Sequence, residues 1–290
     1  MKIGKFQDAH QKIWTGVHAG DRVHPIREAG ELVSLTSLLE KTSVESHRLC
    51  EAALNGASVP LSELTILAPI DHQEVWGAGV TYLRSKQARE EESEQAATFY
   101  DQVYDADRPE LFFKATPNRV SGPGTAIRAR SDSRWTVPEP ELALVLNSSL
   151  SLVGYTMGND VSARDIEGRN PLYLPQAKVH DGCCGLGPVI GLTHDYASLT
   201  AIDMELRILR GGHTLFQATA SVSRMKRSLS ELVDWLGRDS SFPAGVILLT
   251  GTGIVPPDDL TLKHGDIVEI ESRELGILRN PVAIAAGKPQ

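Results

Sequence analysis

Two glutamates stand one residue apart in Val137-Pro138-Glu139-Pro140-Glu141, directly ahead of the apolar run Leu142-Ala143-Leu144-Val145-Leu146. The run has the length and aliphatic character of a strand, so Glu139, Glu141, Ala143 and Val145 fall on one face. Pro140 removes a ladder donor between the acids, which suits an edge strand or a strand entry, where side chains turn toward a cleft. Gly154 and Tyr155 open a second segment that ends in Asp160, an interval long enough for one hairpin return. A third carboxylate can therefore arrive beside the first two. Three converging acids repel unless a cation sits among them, and oxygen-only ligands suit a hard divalent ion, Mg²⁺ first, with Mn²⁺ or Ca²⁺ as alternatives. A solvated strand face also reads E-x-E, so the pair alone leaves both readings open.

Other side chains with chemistry lie at element ends. Glu110-Leu111-Phe112-Phe113-Lys114 is a predicted strand bounded by Pro109 and Pro117, with Glu110 and Phe112 on one face. Glu110 is then a carboxylate at a strand mouth, either a general base or a solvent-facing strand start. Ser121, in the turn at 118–124, offers a hydroxyl to a substrate. Val246-Ile247-Leu248-Leu249 reads as a buried strand that delivers Thr250-Gly251-Thr252-Gly253 to the same end as the acids. Arg164 and Asp165 read as a pair that holds the Asp160 loop, and His180 as a general acid or a structural hydrogen-bonding group.

The elements that must position these groups follow from pattern. Lys2 to Phe6 and Lys12 to Val17 alternate as a strand pair, with a helix around Val44 to Leu54. Leu61 to Ile70 reads as a connector, so the expected units are a small N-terminal domain over 1–68 and a catalytic, metal-binding domain over 69–290. Val75 to Tyr82 is a glycine-punctuated strand where backbone comes close to something. Residues 84–100 lack Gly and Pro and favour helix, yet have few apolar anchors, the profile of a lid or of a solvated helix. Met204–Leu209 and Thr214–Thr219 form a hairpin around Gly211-Gly212, and Leu229, Leu232, Val233 and Leu236 line one helix face behind Ser228. A late strand covers 265–271.

At 290 residues with 41% hydrophobic and 23% charged, the chain is of ordinary globular composition. A net charge of −8 leaves no footprint for nucleic acid or an anionic membrane surface. No apolar run is long enough to span a bilayer, and the expected location is cytoplasmic. Cys50, Cys183 and Cys184 lack metal-ligand spacing and are expected as free thiols.

Longer strings carry a resemblance. Glu139-Pro-Glu-Leu-Ala-Leu-Val-Leu146, Tyr155-Thr-Met-Gly-Asn-Asp-Val-Ser-Ala-Arg-Asp165, Lys178 to Pro188, Gly122-Pro-Gly-Thr-Ala-Ile127 and Leu249-Thr-Gly-Thr-Gly-Ile-Val-Pro-Pro257 together resemble the fumarylacetoacetate hydrolase superfamily, from about Ile70 to Val282. The resemblance implies a β-rich mixed α/β fold, a β-sandwich roll behind a small N-terminal α/β domain, and a homodimer. It maps the metal ligands onto Glu139, Glu141 and Asp160. It makes Lys178, otherwise a surface charge, a group that stabilises enolate charge on a ketoacid, and it sets Thr252 against the substrate. Hydrolytic members follow Asn-Tyr with a His and a Glu that activate water. Here Thr81-Tyr82 leads into Leu83-Arg84-Ser85-Lys86-Gln87-Ala88-Arg89, and no histidine occurs between His72 and His180. Arg84-Ser85 and the string after them are similar instead to the branch that dehydrates 2-keto-3-deoxypentonates, which implies substrate contacts from Arg84 and Ser85. The expected activity is Mg²⁺-dependent dehydration of such a sugar acid to 2,5-dioxopentanoate. An acylpyruvate-type hydrolase, a ketoacid decarboxylase, or an inactive sugar-acid-binding protein are the alternatives.

Overall fold

The computed structural model describes residues 1–83 and 103–284. The helix expected over 84–100, with Arg84 and Ser85, lies outside the described residues. The apolar run at 142–146 belongs to the strand Pro140–Leu146, which is buried along its whole length. Its faces serve two cores. Ala143 and Val145 pack with Ile3, Val75, Val153 and the helix residues Leu38 and Leu49, whereas Leu142, Leu144 and Leu146 pack with Met204, Leu232 and Leu248. Each such leucine contributes roughly 2 kcal/mol before chain entropy is set against it. Strands flank this one on both sides, so Pro140 marks a strand entry inside the sheet.

That strand sits within a 12-stranded sheet. Along the path from it run Leu152–Asp160, Cys184–Leu192, Lys2–Gln7, Ile13–Ala19, Arg22–Pro25 and Val59–Pro60 on one side. On the other run Val246–Leu249, Glu74–Gly79 and Glu110–Ala115. A second sheet of five strands includes the expected hairpin, Asp203–Arg210 with His213–Ser221, and the late strand Ile267–Ser272. It packs on the first through Leu206, Ile208, Val268 and Leu278 against Met157, Val161 and Val189. The result is a β-rich sandwich with helices on both faces of the large sheet, Leu38 and Leu49 on the side of Ala143 and Val145, and Leu232 on the side of Leu142 and Leu144. The helix Leu229–Leu236 is capped by Ser228, whose hydroxyl accepts from the Glu231 N–H at 3.1 Å, and buries the four apolar residues expected of it.

The N-terminal segment joins this sheet directly. Lys2 and Ile3 pair with Gly191 and Ile190, and Ile3 shares a core with Val75 and Ala143. The helix Ser43–Leu54 begins with a reciprocal Thr42–Glu45 cap and covers the same core through Leu49 and Cys50. Within the expected connector, Thr65–Leu67 adds a strand against Lys5, Phe6 and Gln7. Cys50, Cys183 and Cys184 are buried free thiols. Among the described residues, no helix is long and apolar enough to cross a membrane.

Candidate active site

The pairing of two strands brings the acids together. In the antiparallel ladder of Pro140–Leu146 with Leu152–Asp160, Pro140 faces Asn159 and Glu141 faces Gly158. Glu139 continues the first strand backward; its carbonyl accepts from the Asp160 N–H at 2.9 Å and its own N–H donates to Asn159 Oδ1 at 3.1 Å. The open end of the hairpin therefore holds Glu139, Glu141 and Asp160, all buried, with one carboxylate oxygen from each lying within 4.8 Å of the others. Asp160 is fixed on its far side by pairing with Cys184.

The repulsion expected among these acids is met first by the chain's own cations. Lys178, at the end of the helix Leu174–Lys178, donates to Glu139 Oε2 at 2.7 Å, Asp160 Oδ2 at 2.9 Å and Ser162 Oγ at 2.6 Å. Arg164 reaches Glu139 Oε1 at 2.7 Å. Lys114 is wholly buried, lies 2.5 Å from Asp160 Oδ1, and donates to the carbonyls of Val161 at 3.0 Å and Lys178 at 2.5 Å. Burial opposes its charge, but the Asp160 carboxylate outweighs that, and the ammonium is held above its ordinary pKa. Glu141 differs from its two neighbours. Among the described residues it has no ion-pair partner, and it accepts from the Gly251 N–H at 2.5 Å. Burial, then the charges of Asp160 and Glu139, push its carboxyl well above the usual glutamate value. A cluster of hard oxygen donors with one under-compensated carboxylate suits a divalent cation.

Around the trio is a narrow cleft, walled also by Glu110, Phe112, Glu167, Lys178, Gly251 and Thr252. Glu110 opens the edge strand Glu110–Ala115, and Gly79 across the ladder makes room for it: a Cβ there would lie 2.0 Å from Glu110 Oε2. Gly251, at φ +95°, turns the chain after the strand Val246–Leu249 so that its N–H points at Glu141. Thr252 follows and lines the cleft, its hydroxyl engaged with the Ile254 backbone at 3.2 Å.

Not every expected site residue arrives. Ser121 donates its hydroxyl to the Ala126 carbonyl at 2.7 Å and is absent from the cleft wall. Where a turn was expected, Ser121 ends the short strand Val120–Ser121, paired with Cys184 and Gly185, and its hydroxyl satisfies the loop that follows. His180 lines a different pocket, with Arg128, Arg130 and Asp132. Burial, then the nearby Lys114 charge, lower its pKa to about 4, so it stays neutral there. Arg164 and Asp165 each anchor the Asp160 loop: Arg164 through Glu139, and Asp165 by accepting from Ser133 Oγ at 2.6 Å and the Arg134 N–H at 2.9 Å. Two residues, Lys114 and Glu167, reach this site without having been singled out from sequence. Strand alternation from Glu110 and Phe112 was the available signal for Lys114. Glu167, three residues after Arg164 on one helical turn, carried a weaker one.

The sandwich and the acid hairpin define the class, and the chain belongs to the fumarylacetoacetate hydrolase family, whose C-terminal domain model matches residues 74–283. Its relatives have narrower names. A 2-dehydro-3-deoxy-D-arabinonate dehydratase of Saccharolobus solfataricus is 48% identical over 231 residues, covering 78% of this chain and 76% of its own. A probable 2-keto-3-deoxyxylonate dehydratase of Haloferax volcanii is 45% identical over 260 residues, covering 89% and 88%. A solved structure, 2-keto-3-deoxy-D-arabinonate dehydratase complexed with magnesium and 2,5-dioxopentanoate, superposes with a TM-score of 0.80 at 37% identity over 99% of this chain and 100% of that one.

Proposed function

We propose that this chain is a Mg²⁺-dependent hydro-lyase that converts a 2-keto-3-deoxypentonate to 2,5-dioxopentanoate. The observation that carries the reading is one cleft in which three carboxylates converge, Lys178 bonds two of them, and Glu110 opens onto the same space. Relatives at 48% and 45% identity named as dehydratases of such acids support the substrate class, and the magnesium-bound solved relative supports the cation. Glu139, Glu141 and Asp160 would hold the ion. When bound, it supplies Lewis acidity toward a 2-ketoacid, which acidifies the C3 proton.

The residues do the rest. Glu110 takes the C3 proton, and Lys178 adds positive charge beside the ketoacid as enolate character develops. Gly251 and Thr252 shape the opposite wall. Arg84 and Ser85 are proposed substrate contacts on the strength of their resemblance alone. The carbon–oxygen bond at C4 breaks with loss of water, and tautomerisation yields the terminal aldehyde. A place in the breakdown of sugar acids, a cytoplasmic location and a homodimeric assembly go with this reading as proposals.

A mass-spectrometric screen with Mg²⁺ tests it, offering 2-keto-3-deoxypentonates of each C4 hand beside acylpyruvates. The expected result is loss of one water from at least one deoxypentonate, with acylpyruvates intact. Cleavage of an acylpyruvate at a carbon–carbon bond, with every deoxypentonate untouched, would overturn the reading in favour of a hydrolase. Thermal stabilisation by a ketoacid without any product would instead make the chain a binding protein.

A further inference from the structure

Loss of water from C3 and C4 needs one group to take a proton from carbon and another to give one to the departing hydroxyl, or a single group that does both. Glu110 is the proposed acceptor. Lys178 is poorly placed to be the donor, because its ammonium has three N–H bonds and these go to Glu139 Oε2, Asp160 Oδ2 and Ser162 Oγ. Among the described residues lining the cleft, one carboxyl group remains beyond Glu110 and the trio, that of Glu167. It is 4% exposed, and its Oε1 lies 3.9 Å from Lys178 Nζ. The short helix that carries it, Arg164–Glu167, is pinned by the Arg164 N–H to the Trp135 carbonyl at 2.8 Å and by the Asp165 contacts to Ser133 and Arg134. Glu110 and Glu167 also share the wall of an adjoining, mainly apolar cavity with Pro109, Pro171 and Leu174. They are the two carboxylates common to both spaces, which places them beside whatever part of a substrate extends beyond the trio.

We infer that Glu167 is the proton donor to the departing C4 hydroxyl, working with Glu110 across one cleft, an inference that rests on the dehydratase reading above. Glu110 takes the C3 proton; the C3–H electron pair becomes the C3–C4 double bond; the C4–O bond breaks, and its oxygen leaves as water with the Glu167 proton. The Glu167 carboxylate so formed faces the Lys178 ammonium, which stabilises it and favours the transfer. Both groups then return to their starting states. Glu167 removes a C5 proton, the double bond moves to C4–C5, and Glu110 gives its proton back to C3. The enol at C5 becomes the aldehyde as its hydroxyl proton is lost to water and C4 gains one. Over the cycle one water is released and neither carboxyl group is changed.

Fluoride leaves without needing a proton, so an analogue carrying fluorine in place of the C4 hydroxyl separates the two duties. Glu167→Gln, checked for native fold by circular dichroism, is expected to lower water elimination at least about 100-fold while fluoride release stays within about fivefold of the parent. Glu110→Gln is expected to lose both. Glu167→Asp keeps a carboxyl group and should recover part of the water elimination, which also carries the test if the glutamine variant is unstable. Equal losses of water and fluoride elimination in Glu167→Gln, or no loss of either, would overturn the inference. A parent enzyme that dehydrates no deoxypentonate overturns the dehydratase reading itself, and the inference with it.

Discussion

Lys178 illustrates how one side chain can serve two states of a site. Its ammonium lies 2.7 Å and 2.9 Å from oxygens of two proposed metal ligands, so it opposes a bound cation while its charge aids the chemistry. Unit charges about 4 Å apart interact by a few kcal/mol at the effective dielectric of a protein. Lys178→Met is therefore expected to reduce turnover at least about 100-fold and yet bind Mg²⁺ several-fold more tightly, by titration calorimetry. Weaker Mg²⁺ binding in that variant would mean that the lysine chiefly orients the carboxylates. The trio and Lys178 were legible because their types and spacing are unusual together. Lys114 was not, since a lysine closing an aromatic strand reads as the point where the strand meets water. It is the Asp160 carboxylate, 46 positions further along the chain, that gives this charge a buried home.

At the scale of elements, the site depends on where strands end. The Glu139–Asp160 hairpin sets the ligands by register, and a slip of one residue would turn Glu141 to the opposite face. The turn after Val246–Leu249 supplies the N–H that Glu141 accepts, and only a glycine fits there: at φ +95° a Cβ would lie 1.9 Å from Thr81 Oγ1. Gly251→Ala is expected to cost about 2–4 kcal/mol and to weaken Mg²⁺ binding, read by thermal melts with and without the ion. Unchanged melts would mean that the turn relaxes without moving Glu141. The hairpin at 203–221 and the helix Leu229–Leu236 were readable because each is solvated on one side, which leaves a period in the sequence. Three-residue Thr65–Leu67 had too few side chains to show one, and Pro140 could be placed at a strand entry or an edge but not chosen between them.

For the molecule as a whole, one sheet carries both the N-terminal strands and the ligand hairpin, so stability and site geometry are coupled through it. The connector's change of composition is what marks two expected units, and the pairing that joins the N-terminal strands to the sheet, between residues 189 and 187 positions apart, leaves no local mark. Acid should act on this frame through His180. Its folded pKa of about 4 lies below the ordinary 6.5, so the stability tied to its neutral form is complete above pH 6.5 and is lost as pH falls toward 4. His180→Gln is expected to show a shallower fall in Tm across that window than the parent, and parallel profiles would remove the histidine from the cause. Since Lys178, Lys114 and Arg164 already offset much of the buried negative charge, chelation should leave the protein folded and lower its Tm only modestly.

The most direct measurement is the rate of 2,5-dioxopentanoate formation by chelated protein as Mg²⁺ is added back, with Glu141→Gln alongside. The expected result is no product without the ion, a saturating return of activity in the parent, and at least a tenfold higher Mg²⁺ requirement or no activity in the variant. Full activity in the chelated parent, or a Glu141→Gln variant with the same Mg²⁺ dependence as the parent, would contradict a metal-dependent dehydratase built on Glu139, Glu141 and Asp160.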